Sequence, residues 1–261
     1  MAFLDVHCFS DVLGLTVSFY VLLPQSSARQ IGMAGGATRE RYPTLYLLHG
    51  LSDDHTIWMR RTSIERYAAE KNLAVVMPCV ARSYYQDMAS GPKYWTFLSE
   101  ELPALCQRWF PLSPAREDTF AAGLSMGGYG ALRLGLAFPE KFAAVASLSG
   151  ALDLRQRQRE LGQSEMPMDR TEWAGVFGAA SVAPADLFPL AENVASSKGS
   201  KPRLYLCCGT EDYLLNDNRD FRQHLNRLGL ANTYEESPGT HEWGYWDRQI
   251  QRVLEWLPLR G

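Results

Sequence analysis

Hydrophobic positions along this chain fall into short unbroken runs separated by longer amphipathic stretches. Residues 44–48, 74–77, 119–122, 143–148, 203–208 and 232–235 read as strands. Runs that lack polar alternation predict strands covered on both faces, as in a parallel sheet under helices. Residues 15–23 alternate loosely and, with 3–9, predict an antiparallel pair at the edge of that sheet. Helical periodicity marks the intervals. Thr62-Ser63-Ile64-Glu65 has capping-box spacing and starts a helix reaching about Lys71. Residues 100–109 form another, closed off by Pro111. Residues 125–138 are apolar nearly all round, with Arg133 the only charge, as suits a helix pressed on the sheet centre. Residues 218–228 and 246–256 are amphipathic. The alternation predicts one doubly wound, mostly parallel α/β domain over 1–261, with helices on both faces and right-handed crossovers.

Two intervals break the rhythm. Residues 25–41, rich in Gly, Ser and Ala, read as a loop. Residues 151–200, following the strand after the all-apolar helix, are too long for a connection. They carry Arg155, Arg157, Arg159 and Glu160, then Met166, Met168, Trp173 and Phe177. An insertion over the carboxyl edge that lines a pocket and a purely structural excursion both fit.

Composition narrows the function classes. The 261 residues are 46% hydrophobic and 21% charged, with a net charge of −3, so no basic field exists to hold nucleic acid or an acidic membrane. No run has the length of an apolar span. Residues 1–10 lack a basic region and carry Asp5 and His7, which predicts no secretory signal. The five cysteines have no metal-ligand spacing and read as reduced, small hydrophobes of a cytoplasmic protein. No cofactor or metal is expected, and the chain leaves a homo-oligomer open.

The chemistry begins at Gly123-Leu124-Ser125-Met126-Gly127, a G-x-S-x-G between a strand and a helix. In that setting it is a nucleophile elbow, with glycines where a bulky neighbour could not enter. A serine hydroxyl needs a base, and the base needs an anionic partner. With the chain order Ser, acid, His, three of the five histidines precede Ser125 and drop out. His224 lies in an amphipathic helix, where a packing or a surface role explains it. His241 follows Ser237-Pro238-Gly239-Thr240 in a loop before the last helix and is the candidate base. Glu211 and Asp212 stand just beyond the 203–208 strand as candidate acids, with Asp153 the runner-up. Asp217 and Asp220 are accounted for by capping and dipole compensation at the next helix. The oxyanion of acyl transfer needs donors, and these are expected from the backbone N–H of Met126 and of Leu51, after His49-Gly50. His49 is expected to shape that loop.

Together these segments resemble the esterase D family, which includes tributyrin-type acetyl esterases and, more distantly, S-formylglutathione hydrolases. The likeness rests on Leu47-Leu48-His49-Gly50-Leu51-Ser52 with Trp58, on residues 61–66 and on residues 94–103. It continues through the elbow (123–130), the acid loop (208–212) and the histidine block (241–247). It spans about residues 40–257 in the family's order and implies an α/β-hydrolase fold. It places the nucleophile on Ser125, the acid on Asp212, the base on His241 and the oxyanion donors on Leu51 and Met126. Residues 153–200 depart from it. The glutathione-thioester branch has a cysteine soon after the first oxyanion loop; Ser52-Asp53-Asp54-His55 offers none, which favours an oxygen-ester enzyme. The expectation is therefore a serine carboxylesterase acting on small-molecule esters with short acyl chains. Its rivals are a feruloyl or acetyl-xylan-type esterase, a thioesterase, and a non-catalytic binder on the same fold. Trp58, Trp95 and Trp243 are the expected substrate-facing rings.

Overall fold

The computed structural model describes residues 1–27, 29, 31, 39–163, 167–178, 182 and 185–260. Most of the loop expected at 25–41 lies outside these residues, as does Met166. Eight strands form one sheet in the order β1-β2-β4-β3-β5-β6-β7-β8. They are β1 Ala2–Ser10, β2 Leu15–Leu23, β3 Thr44–Leu48, β4 Ala74–Pro78, β5 Thr119–Leu124, β6 Ala144–Leu148, β7 Arg203–Gly209 and β8 Asn232–Ser237. β1 and β2 pair antiparallel, from Ala2↔Leu23 to Ser10↔Leu15, and β2 joins β4 antiparallel; all remaining ladders are parallel. Every residue of β3, β4 and β6 is buried, the two-sided cover that unbroken apolar runs require.

From β3 the chain steps one way to β4, then returns to the other side of β3 for β5. The carboxyl ends of β3 and β5 thus flank a topological switch point, where open α/β sheets leave a crevice. The helices are α1 Ile57–Arg61, α2 Ile64–Glu70, α3 Tyr94–Thr96, α4 Leu102–Trp109, α5 Met126–Ala137, α6 Leu154–Glu160, α7 Arg170–Phe177, α8 Leu187–Ser196, α9 Leu215–Arg227 and α10 Trp243–Trp256. One face of the sheet packs under α5, α8 and α9, the other under α1, α2 and α10.

Several expected boundaries move, each for a local reason. The helix predicted at 100–109 starts at Tyr94 and passes through a π turn, Phe97–Glu101. Pro103 has no N–H to give the Ser99 carbonyl, and the Lys141 ammonium donates to that oxygen instead, at 3.4 Å. The capping box does not form: Ser63 makes no capping bond, and the Thr62 hydroxyl accepts from Ile64 N–H at 3.1 Å. Residues 151–200 contain α6, α7 and α8, each begun by an aspartate (Asp153, Asp169, Asp186) that accepts from a first-turn N–H. Asp153, the alternative acid, is occupied with that role.

Arg133 shows how an all-apolar helix accommodates a charge. Its guanidinium is buried, donates to Tyr85 O and Gln86 Oε1 (both 2.7 Å), and lies 3.7 Å over the Trp95 ring. Gln86 Nε2 donates in turn to the Tyr129 hydroxyl, which donates to Ala185 O. The helix after Ser125 is thereby fastened to the 79–93 loop and to the 151–200 segment. These polar groups specify one arrangement because leaving any of them unpaired would be costly.

Candidate active site

Ser125 stands between β5 and α5, at the N-cap position of α5, in a left-handed conformation, φ +53° and ψ −118°. Such a backbone costs ~1–3 kcal/mol and persists only where its surroundings fix it. They do: Ser125 N–H donates to Leu148 O at 2.9 Å, and Ser125 O accepts from Tyr129 and Ala151 N–H. The flanking glycines are steric necessities. A Cβ on Gly123 would lie 2.4 Å from Gly127 O, and one on Gly127 would lie 2.5 Å from Leu48 O. The first turn of α5 therefore touches the backbone that leaves β3, and the Met126 and Leu51 N–H groups come from two segments in contact.

That second segment is held by three side chains, one per carbonyl. Trp58 Nε1 donates to Leu48 O at 3.0 Å, the Tyr85 hydroxyl to His49 O at 2.8 Å, and His49 Nδ1 to Gly50 O at 2.7 Å. Val80 N–H donates to His49 Nε2 at 3.1 Å, so only the Nδ1–H tautomer satisfies both ring nitrogens. His49 thus shapes the loop, and burial pushes its pKa down to about 4. Unfolded His49 takes a proton below about pH 6.5, whereas the folded ring resists until about pH 4. Its stabilisation is therefore complete above pH 6.5 and is lost as pH falls towards 4. The unfolding free-energy difference between wild type and His49→Gln should shrink by about 3 kcal/mol between pH 7 and pH 4. Denaturant titrations at both pH values check this, and a difference constant across the window would contradict it.

His241 and Asp212 meet across the ends of β7 and β8. His241 Nδ1 lies 2.9 Å from Asp212 Oδ2 and 3.1 Å from Oδ1. The Asp212 carboxylate is buried and also accepts from Leu214 N–H at 2.9 Å. A carboxylate there accepts a hydrogen bond from Nδ1–H, which keeps that proton on Nδ1 and leaves Nε2 as the acceptor nitrogen. Glu211, the neighbouring candidate, points away. Its exposed carboxylate accepts from Gly239 N–H at 2.7 Å, and its own N–H donates to Gly239 O. The acid loop and the histidine loop are clamped by it. The bond from Gly239 holds the Glu211 pKa below the ordinary carboxylate value. The His241 ring packs against Tyr213 and meets the edge of Trp246. Glu242 caps α10 through Gly244 and Tyr245 N–H, which starts that helix three residues earlier than its periodicity predicts.

Ser125 and His241 line one cavity of about 400 Å³, with Gly50, Leu51 and Trp243 also in its wall. Residues 151–200 contribute Arg157, Pro167, Met168 and Trp173, so that segment lines the pocket. Of the three rings expected to face substrate, Trp243 does line the cavity. Trp58 and Trp95 do not, and both need correction. Trp58 is enclosed, holds Leu48 O and packs edge-on against Trp243. Trp95 is taken up by Arg133 on one side and by stacking on Phe138. Asp217 also departs from expectation. It stands in the first turn of α9, where dipole compensation is expected, but it is no cap: it is buried, and Arg157 Nη2 donates to its Oδ1 at 3.1 Å. Burial holds its pKa above the usual carboxylate range despite Arg157. His224 is packed as expected, beside Phe188 and Phe221.

A family model described as a putative esterase matches residues 10–257. The chain belongs to this esterase family. An acetyl esterase of Caldicellulosiruptor saccharolyticus is 31% identical over 268 residues, covering 98% of each chain. Among solved structures, the Staphylococcus aureus fluorophosphonate-binding serine hydrolase FphF superposes with a TM-score of 0.87 at 35% identity, over 98% of both chains. The S-formylglutathione hydrolase FrmB of Staphylococcus aureus gives 0.84 at 33% identity, again over 98% of both. This esterase therefore has the α/β-hydrolase fold and is a carboxylic ester hydrolase. Among its described residues no helix is long and apolar enough to cross a membrane. All five of its cysteines are free.

Proposed function

We propose that this esterase hydrolyses short-chain acyl esters of small molecules, with Ser125 as nucleophile, His241 as general base and Asp212 as its orienting acid. The observation that carries the reading is the buried Asp212 carboxylate 2.9 Å from His241 Nδ1, on a ring that shares a cavity with Ser125. Ser125 Oγ attacks the ester carbonyl and passes its proton to His241 Nε2. Leu51 and Met126 N–H groups stabilise the tetrahedral oxyanion. The intermediate collapses as Nε2 returns the proton to the leaving alcohol, and the acyl group stays on Ser125. Water, deprotonated by Nε2, then releases the acid. The 31% identity to an acetyl esterase supports the short acyl preference. So does Ser52-Asp53-Asp54-His55, which offers no cysteine soon after this loop, where the thioester branch of the family it resembles has one. The likeness to FrmB keeps a thioesterase as the second reading.

A single substrate panel tests it: p-nitrophenyl esters from acetyl to octanoyl, with methyl ferulate and S-formylglutathione alongside. The highest kcat/KM is expected between acetyl and butyryl. A maximum at octanoyl, or a thioester preferred over every oxygen ester, would overturn the assignment.

A further inference from the structure

The cavity contains a charged group that ester hydrolysis by itself does not need. Arg157, on α6, is nine-tenths buried and lines the same cavity as Ser125, among Tyr84, Met168 and Trp173. A guanidinium offers five N–H bonds. Nη2 donates to Asp217 Oδ1 at 3.1 Å and is ion-paired with Glu160 Oε2 at 3.0 Å. Nε is enclosed without a partner. Nη1, with two N–H bonds, finds no partner among the described residues and, unlike Nε, is not enclosed. Two carboxylates already face the one positive charge. A third, on a substrate, would meet Asp217 and Glu160 as well as Arg157. A neutral oxygen would meet only the unused donor. Arg82, the other cation of the wall, sits at a more exposed position. The Glu172 carboxylate and Pro167 O engage it there.

We infer that Arg157 is a specificity-determining residue, which hydrogen-bonds an uncharged acceptor oxygen (ether, hydroxyl or carbonyl) on the ester substrate, away from the scissile bond. The apolar walls of Tyr84, Met168 and Trp173 take the carbon chain, and the guanidinium marks where an oxygen interrupts it. The cavity volume agrees, since about 400 Å³ holds considerably more than an acetyl group and a small alcohol. This inference rests on Ser125 as the nucleophile.

Isosteric esters in which one CH2 becomes an oxygen test it. Methoxyacetyl is compared with butyryl, 3-methoxypropanoyl with pentanoyl and 4-methoxybutyryl with hexanoyl, all as p-nitrophenyl esters. 2-Methoxyethyl acetate is compared with butyl acetate to scan the alcohol side. Each ratio of kcat/KM is divided by the ratio of hydroxide-catalysed rates, which removes intrinsic reactivity. At one position the oxygen-bearing ester should be favoured about tenfold by wild type, the effect of one hydrogen bond from a charged donor. Arg157→Met should bring that ratio to about one. If that variant fails to fold with Asp217 left unpaired, Arg157→Lys serves, because it keeps the charge but loses the planar fork. Ratios near one at every position in wild type would overturn the inference. So would a preference that survives both variants, or a monosuccinyl ester outrunning its neutral isostere. Failure of the reaction scheme itself would look different: Ser125→Ala would then still hydrolyse p-nitrophenyl acetate.

Discussion

Ser125→Ala is expected to lower kcat for p-nitrophenyl acetate by about 10⁴-fold or more, while leaving the fold in place. The hydroxyl is the only part of the elbow that the substitution removes. Alanine keeps a Cβ that the strained backbone at φ +53° already accommodates. The bonds from Ser125 N–H to Leu148 O and from Tyr129 N–H to Ser125 O are backbone and survive. The loss is therefore a chemical one, and a thermal unfolding curve close to that of wild type will show it. A fluorophosphonate probe should label wild type and not the variant. Turnover within tenfold of wild type would remove Ser125 from the mechanism.

Asp212→Asn should cost about 10³- to 10⁴-fold in kcat near neutral pH, with little change in KM. A carboxylate can only accept, so it fixes the His241 proton on Nδ1 and leaves Nε2 able to take one from Ser125. An amide can instead donate to Nδ1. The ring then carries its proton on Nε2 and is no longer a base for Ser125. The control lies one residue away. Glu211→Gln alters a carboxylate of the same loop that only holds Gly239 N–H at the surface, and it should stay within about fivefold of wild type. Equal losses in the two variants would mean that the loop's position matters and the identity of its acid does not. Steady-state kinetics on both, with circular dichroism to verify folding, separates these outcomes.

Much of the candidate site was legible because its segments carry local constraints. Gly123 and Gly127 are forced by backbone approaches of 2.4 and 2.5 Å, and such positions leave a glycine signature in any chain that makes the same turn. The strand runs were legible because burial on both faces demands unbroken apolar residues. His241 could be singled out by elimination, since chain order and loop placement left no competitor. Asp212 could not be separated from Glu211 by residue type, spacing or placement, and only the family resemblance favoured it. In the fold, one carboxylate is buried against the imidazole and the other turns outwards to Gly239.

The aromatic residues mark the limit of such reading. Trp58, Trp95 and Trp243 have equivalent chemistry and all sit near predicted carboxyl-edge loops. Whether a ring faces substrate, holds a carbonyl or covers a guanidinium depends on which neighbour reaches it first. Trp58 found Leu48 O and Trp95 found Arg133. Likewise Arg157 and Asp217 lie sixty positions apart, yet they form a buried pair that holds Arg157 in the cavity wall.

By itself, the sequence determined what short-range rules enforce: the parallel sheet, the elbow, the loop that carries His241, and the chain order Ser125, Asp212, His241. Hydrophobic period and steric exclusion act within a few residues, so they leave a local imprint. The tertiary structure alone decided which acid faces His241, which rings border the cavity, and which buried arginine keeps an unused donor. Those outcomes depend on convergence between segments tens to well over a hundred residues apart, for which no local pattern exists.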